Sequence, residues 1–131
     1  MPAESLTSEV TSFFESYAEA FHAISGARIA IFYHIPCVTL RRDGSIHCFQ
    51  SQSECAKFFD AVADTYYKEG LRRSEFKNLE VSPVGGRCLL ATMDWVFYRG
   101  DGSLLKQWRQ SYNLIRVDGR WHILASTFHI T

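Results

Sequence analysis

The chain has 131 residues, 47% hydrophobic and 21% charged, which is the composition of one folded domain and excludes disorder along its length. Its 14 Lys and Arg balance 14 Asp and Glu, and a formal net charge of +0 lacks the positive surplus on which nucleic-acid and polybasic membrane binding depend. The unusual quantity is an aromatic content of 15%, with 10 Phe, 6 Tyr and 3 Trp.

The opening residues, MPAES, carry no basic run leading into an apolar stretch, and no apolar run approaches the roughly 18 residues of a membrane span. The expectation is therefore a cytoplasmic protein with no membrane and no nucleic-acid partner. Cys37, Cys48, Cys55 and Cys88 form no C-x-x-C pair, and the five histidines (22, 34, 47, 122 and 129) form no H-x-x-x-H. Reduced thiols are expected, with no metal and no cofactor. No G-x-G-x-x-G or G-x-x-x-x-G-K motif offers a nucleotide cradle.

The first element is a helix. Val10, Phe13, Phe14, Tyr17, Phe21 and Ile24 recur every three or four residues and form one apolar face. Ser5, Thr7 or Ser8 can cap its start, and Gly26 can end it. A second short helix is predicted over residues 27–33, closed by Pro36 because the residue before a proline avoids the helical region. The period then changes to two. Residues 37–42 and 45–50 read as strands joined by Asp43-Gly44, a pair that favours tight hairpin turns. Ser51-Gln52-Ser53-Glu54 reads as a capping box, and behind it Cys55, Phe58, Phe59, Val62 and Tyr66 mark the inner face of a third helix stopped by Gly70.

The second half reads as four long strands, over residues 72–84, 87–99, 104–117 and 120–130. The first of them slips out of alternation, as a bulge would cause. Turns fall at Gly85-Gly86, Gly100-Asp101-Gly102 and Asp118-Gly119. Arg99-Gly100-Asp101 spells an adhesion tripeptide, but a hairpin turn accounts for it. The order ααββαββββ predicts an α+β domain over residues 1–131, with an ordered core at about 7–130. Three helices then pack on a curved, mostly antiparallel six-stranded sheet. The sheet must curl around the first helix to cover its apolar side, which makes a cone whose mouth is the expected ligand site.

The run Phe13-Phe14-Glu15-Ser16-Tyr17-Ala18-Glu19-Ala20-Phe21, then Phe32-Tyr33 with Pro36, Asp43-Gly44, the capped helix from Ser51 and the closing Asp118-Gly119-Arg120-Trp121-His122-Ile123 together resemble the NTF2-like superfamily. That superfamily includes SnoaL-like polyketide cyclases, ketosteroid isomerases and scytalone dehydratase. The pattern looks most like a bacterial branch with no assigned activity. The resemblance implies the cone fold; it implies no particular reaction, because this frame hosts unrelated chemistries. By the same resemblance, Tyr17 falls where ketosteroid isomerases carry a hydrogen-bond-donating tyrosine. A gap-free alignment puts Arg41 where they carry the general base, and an arginine cannot take up a proton at neutral pH.

Asp94 is the one aspartate in the middle of a long strand. Pairing Trp95 with Trp108 sets aromatic against aromatic and brings Asp94 opposite Arg109. Two placements follow. Either Asp94, Arg109, Ser111 and Asn113 face the cone interior, or they face outward and the aromatic side, with Met93, Trp95 and Tyr112, lines the cavity. Candidate catalytic groups are Tyr17, Asp94 and His129, with His34 a further histidine of suitable pKa. Candidate ligand-binding residues are Tyr17, Phe21, Tyr33, Trp95, Arg109, Tyr112 and Phe128. The expected function is binding of a small apolar or aromatic molecule in the cone, by a protein that dimerises with itself through the sheet. The alternative is an isomerase, cyclase or dehydratase using Tyr17 with Asp94 or a histidine.

Overall fold

The computed structural model describes residues 3–131, with side chains from Ser5 onward. Its elements are α1 (Ala3–His22), α2 (Gly26–Ala30), β1 (Tyr33–Leu40), β2 (Ile46–Phe49), α3 (Gln52–Glu69), β3 (Arg73–Val84), β4 (Cys88–Tyr98), β5 (Leu104–Val117) and β6 (Arg120–Phe128). The strands form one six-stranded sheet in the order β2-β1-β6-β5-β4-β3. Every neighbouring pair is antiparallel except β1 and β6, which run parallel.

α1 buries Leu6, Val10, Phe14, Tyr17 and Ala20 at helical spacing; of the expected stripe, Phe13 and Phe21 are partly buried. Its end differs from expectation. Ile24 lies beyond the helix at φ 53°, and Gly26 opens α2 instead of closing α1. The reason Gly26 is glycine is proximity to α3: a Cβ there would stand 1.8 Å from the backbone oxygen of Ala56. Its N–H donates to Asp60 Oδ1, which ties α2 to α3.

The second helix is also shorter than predicted, Gly26–Ala30 rather than residues 27–33. Pairing with β6 ends it: the Ile123 N–H donates to the Phe32 carbonyl at 2.7 Å, and Tyr33 already stands beside Ile123. Pro36 therefore lies inside β1. It occupies the irregular stretch between Tyr33 and Val38, ahead of the first residue paired to β2, where a missing N–H costs no ladder bond.

Other local signals hold. Asp43 Oδ1 accepts the Ser45 N–H at 2.9 Å, and Gly44 takes φ 86° in the β1–β2 turn. Ser51 caps α3 by accepting the Glu54 N–H at 3.2 Å; Gly70, at φ 118°, ends the helix in the left-handed region. Glu54 Oε1 accepts from the Ser51 hydroxyl at 3.4 Å. The slip in β3 is a register shift between Lys77 and Glu80, with Asn78 at φ 57°.

The β4–β5 register pairs Trp95 with Trp108 and Asp94 with Arg109. Burial decides the faces. Leu89, Ala91, Met93, Trp95 and Phe97 are buried on one side of β4, and Gln110, Tyr112 and Leu114 on the matching side of β5. That inner face receives α1. Phe14, fully buried, meets the rings of Phe76, Trp95 and Tyr112 at centroid distances of 6.2, 6.3 and 4.7 Å. α3 closes the other flank, with Phe59 stacked on Tyr33 at 4.7 Å and 27°.

Candidate functional site

Alternation in the strands and the stripes of α1 and α3 aim a set of polar tips at one end of the cone. α1 supplies Tyr17, β1 supplies Tyr33, α3 supplies Tyr66, and the inner face of β5 supplies Tyr112; Arg41 follows just after β1. These groups border one cavity whose remaining wall is mostly aromatic, with Ala18, Ser74 and Gln110 the exceptions. The free space within it is about 30 Å³, room for roughly two water molecules. The hollow expected from the sequence is thus mostly filled by its own rings. At the mouth it opens into a shallow depression of about 420 Å³ that shares Arg41, Tyr66 and Phe128 and adds Arg42, His47 and Phe58.

Hydrogen bonding here is lopsided. The Tyr17 and Tyr33 hydroxyls lie 2.6 Å apart, so one donates to the other and the recipient's hydrogen is left over. Trp95 Nε1–H donates to the Tyr112 hydroxyl at 2.8 Å, leaving that O–H without an acceptor among the described residues. Arg41 donates to the Tyr66 hydroxyl at 3.3 Å. Gln110 spends both ends internally, accepting from Trp108 Nε1 and donating to Ser126. The wall therefore has spare donors, and among the described residues no lining side chain is a carboxylate.

Burial pushes the phenols of Tyr17, Tyr33 and Tyr112 well above the usual tyrosine range. Neighbouring tyrosines add to the rise for Tyr17 (Tyr33), Tyr33 (Tyr112) and Tyr112 (Tyr17), while Arg41 opposes it in all three. The three hydroxyls stay protonated at neutral pH and act as donors, not bases.

Residues 8–131 match the model of a protein family described as NTF2-like protein (DUF6841). The chain belongs to this family. No curated protein matches it. Solved structures agree on the NTF2-like fold. Aln2 from Streptomyces is 16% identical, with a TM-score of 0.78 over 98% of this chain and 92% of that one. A domain of unknown function with a cystatin-like fold from Nostoc punctiforme is 17% identical, with a TM-score of 0.77 over 100% of this chain and 80% of that one. An NTF2-like protein of unknown function from Shewanella oneidensis is 14% identical, with a TM-score of 0.72 over 93% of this chain and 97% of that one.

Within this NTF2-like cone, Tyr17, Phe21, Tyr33, Trp95, Tyr112 and Phe128 all line the cavity. Arg109 does not. It belongs to the outer face, where it bonds Asp94 Oδ1 at 3.1 Å and Glu80 Oε1 at 3.0 Å. Asp94 also accepts from Asn78 at 2.7 Å, and its carboxyl is held below the usual aspartate range first by that bond and then by Arg109. His129 is on the same outer face, its Nε2 2.7 Å from the Ser111 hydroxyl. The expected partnership of Tyr17 with Asp94 or His129 is therefore not formed, because strand parity puts the two sets on opposite sides of the sheet. His34 is not in the cavity wall either; its Nδ1 is 2.9 Å from the Pro36 carbonyl oxygen. Among the described residues, no group of three His, Cys, Asp or Glu is placed to hold a metal ion.

Tyr66, Trp108 and Gln110 belong to the wall and were not among the expected site residues. Trp108 and Gln110 share the parity of Tyr112, and Tyr66 ends the α3 stripe, so each carried a readable signal. Arg41 was considered only as a failed base. Its parity with the buried Cys37 and Thr39 in β1 points it inward.

Proposed function

We propose that this NTF2-like chain binds a small apolar or aromatic molecule carrying an oxygen acceptor, seated among Tyr17, Tyr33 and Tyr112. The observation behind this reading is the surplus of buried hydroxyl donors in a cavity without carboxylates. A buried donor left without an acceptor costs about 1–3 kcal/mol, a cost that a packed core normally avoids and a ligand carbonyl would remove. The aromatic wall supplies the apolar surface for the rest of the molecule.

Entry requires movement, since the free space admits only water-sized groups. In this reading the half-buried Trp108, stacked on Phe128 at 5.5 Å and 13° in the cavity wall, is the side chain that gives way. Catalysis of the isomerase, cyclase or dehydratase type would need a proton acceptor within reach of Tyr17, directly or through one water. The wall offers none with a suitable pKa, so binding is the reading we adopt.

Thermal unfolding with a panel of small aryl ketones, acetophenone among them, tests it. Saturable stabilisation that is lost in Tyr17→Phe and Tyr112→Phe is expected. No shift with any member of the panel would overturn the reading.

A further inference from the structure

We infer that the bound molecule is an organic anion, a small aryl or alkyl carboxylate whose charged end is held by Arg41 at the cone mouth. This rests on the ligand-binding reading above and names the chemistry of the ligand's head.

Arg41 is the only charged side chain among the residues lining the cavity. It is half-buried, and among the described residues it has no carboxylate within salt-bridge distance. The other half-buried cations among the described residues are paired: Lys106 with Glu69 at 2.7 Å, Arg116 with Glu9 at 2.9 Å, and Arg109 with Glu80 and Asp94. Asp43, in the adjoining turn, uses one carboxylate oxygen to accept both the Ser45 N–H and its hydroxyl. Arg41 instead lies over the Phe128 ring at 4.9 Å and bonds a neutral phenol.

A guanidinium withdrawn from water is normally matched by an anion, and its planar fork suits a carboxylate. The spare hydroxyl hydrogens on the tyrosines of the same wall also favour an acceptor-rich head. Arg42, over Trp108 at 5.2 Å, adds a second positive charge at the mouth.

Isothermal titration calorimetry with benzoate, phenylacetate and 3-phenylpropionate, each against its primary amide, tests the inference at one fixed ionic strength. The wild-type chain should bind at least one carboxylate tenfold or more tighter than its amide. Arg41→Met should abolish that preference, and Arg41→Lys should keep part of it. Should Arg41→Met fail to fold, Arg41→Lys and the acid–amide comparison on the wild type still decide. Equal binding of acids and amides would overturn the anion inference and leave the ligand-binding reading intact. Absence of binding by all six compounds would overturn both.

Discussion

Tyr17 shows how much one hydroxyl carries. It is 4% exposed, and among the described residues its only polar partner is Tyr33. Tyr17→Phe leaves the Tyr33 hydroxyl buried without a partner and should cost about 1–3 kcal/mol of stability, read by urea unfolding. Asp94 gives a pH-dependent case. Its folded pKa is depressed, so its contribution is present above the unfolded value of about 3.9 and is lost as pH falls through the folded value. Asp94→Asn should therefore be less stable than wild type at pH 7, and the gap should close toward pH 2. Because Asp94 sits on the outer face, the same variant should leave ketone binding unchanged. Tyr17, Trp95 and Tyr112 were readable in the sequence because each sits in a long periodic run. The face of Asp94 was not, because alternation separates two faces without saying which one meets the helix. That choice is made by α1, whose Phe14 lands on Trp95 and Tyr112.

Elements with strong end signals were legible, and those decided by long-range contact were not. α3 begins at Ser51 and ends at Gly70 because a side-chain cap and a left-handed residue act locally. α2 was misread at both ends. Its start depends on the α3 backbone, and its finish on β6, which follows it by about ninety residues. Gly26→Ala puts a methyl group into the Ala56 carbonyl, so α2 and α3 must separate; we expect a loss of about 3 kcal/mol or more in chemical unfolding. Phe14→Ala removes the fully buried ring at the centre of the α1–sheet contact and should cost about 3–5 kcal/mol. A smaller loss would mean that α1 collapses onto the sheet to refill the space.

At the scale of the whole molecule, the aromatic excess is spent inside. Rings from α1, α3 and the inner sheet face make a continuous network from Phe14 through Tyr17, Phe21 and Tyr66 to Trp108. The central outer face of β4 and β5 carries the polar pairs Asp94–Arg109 and Thr92–Ser111. The cone itself was legible from the element order, whereas its near-filled interior was not, since volume depends on how rings interlock. The three tryptophans provide the most direct test of an occupied throat. Trp95 and Trp108 line the cavity, whereas Trp121 bonds Glu9 at 3.2 Å away from it. In a titration with acetophenone followed by 1H–15N NMR, the indole N–H signals of Trp95 and Trp108 should shift saturably while that of Trp121 stays still. Three unmoved indoles, or movement of Trp121 alone, would contradict the account.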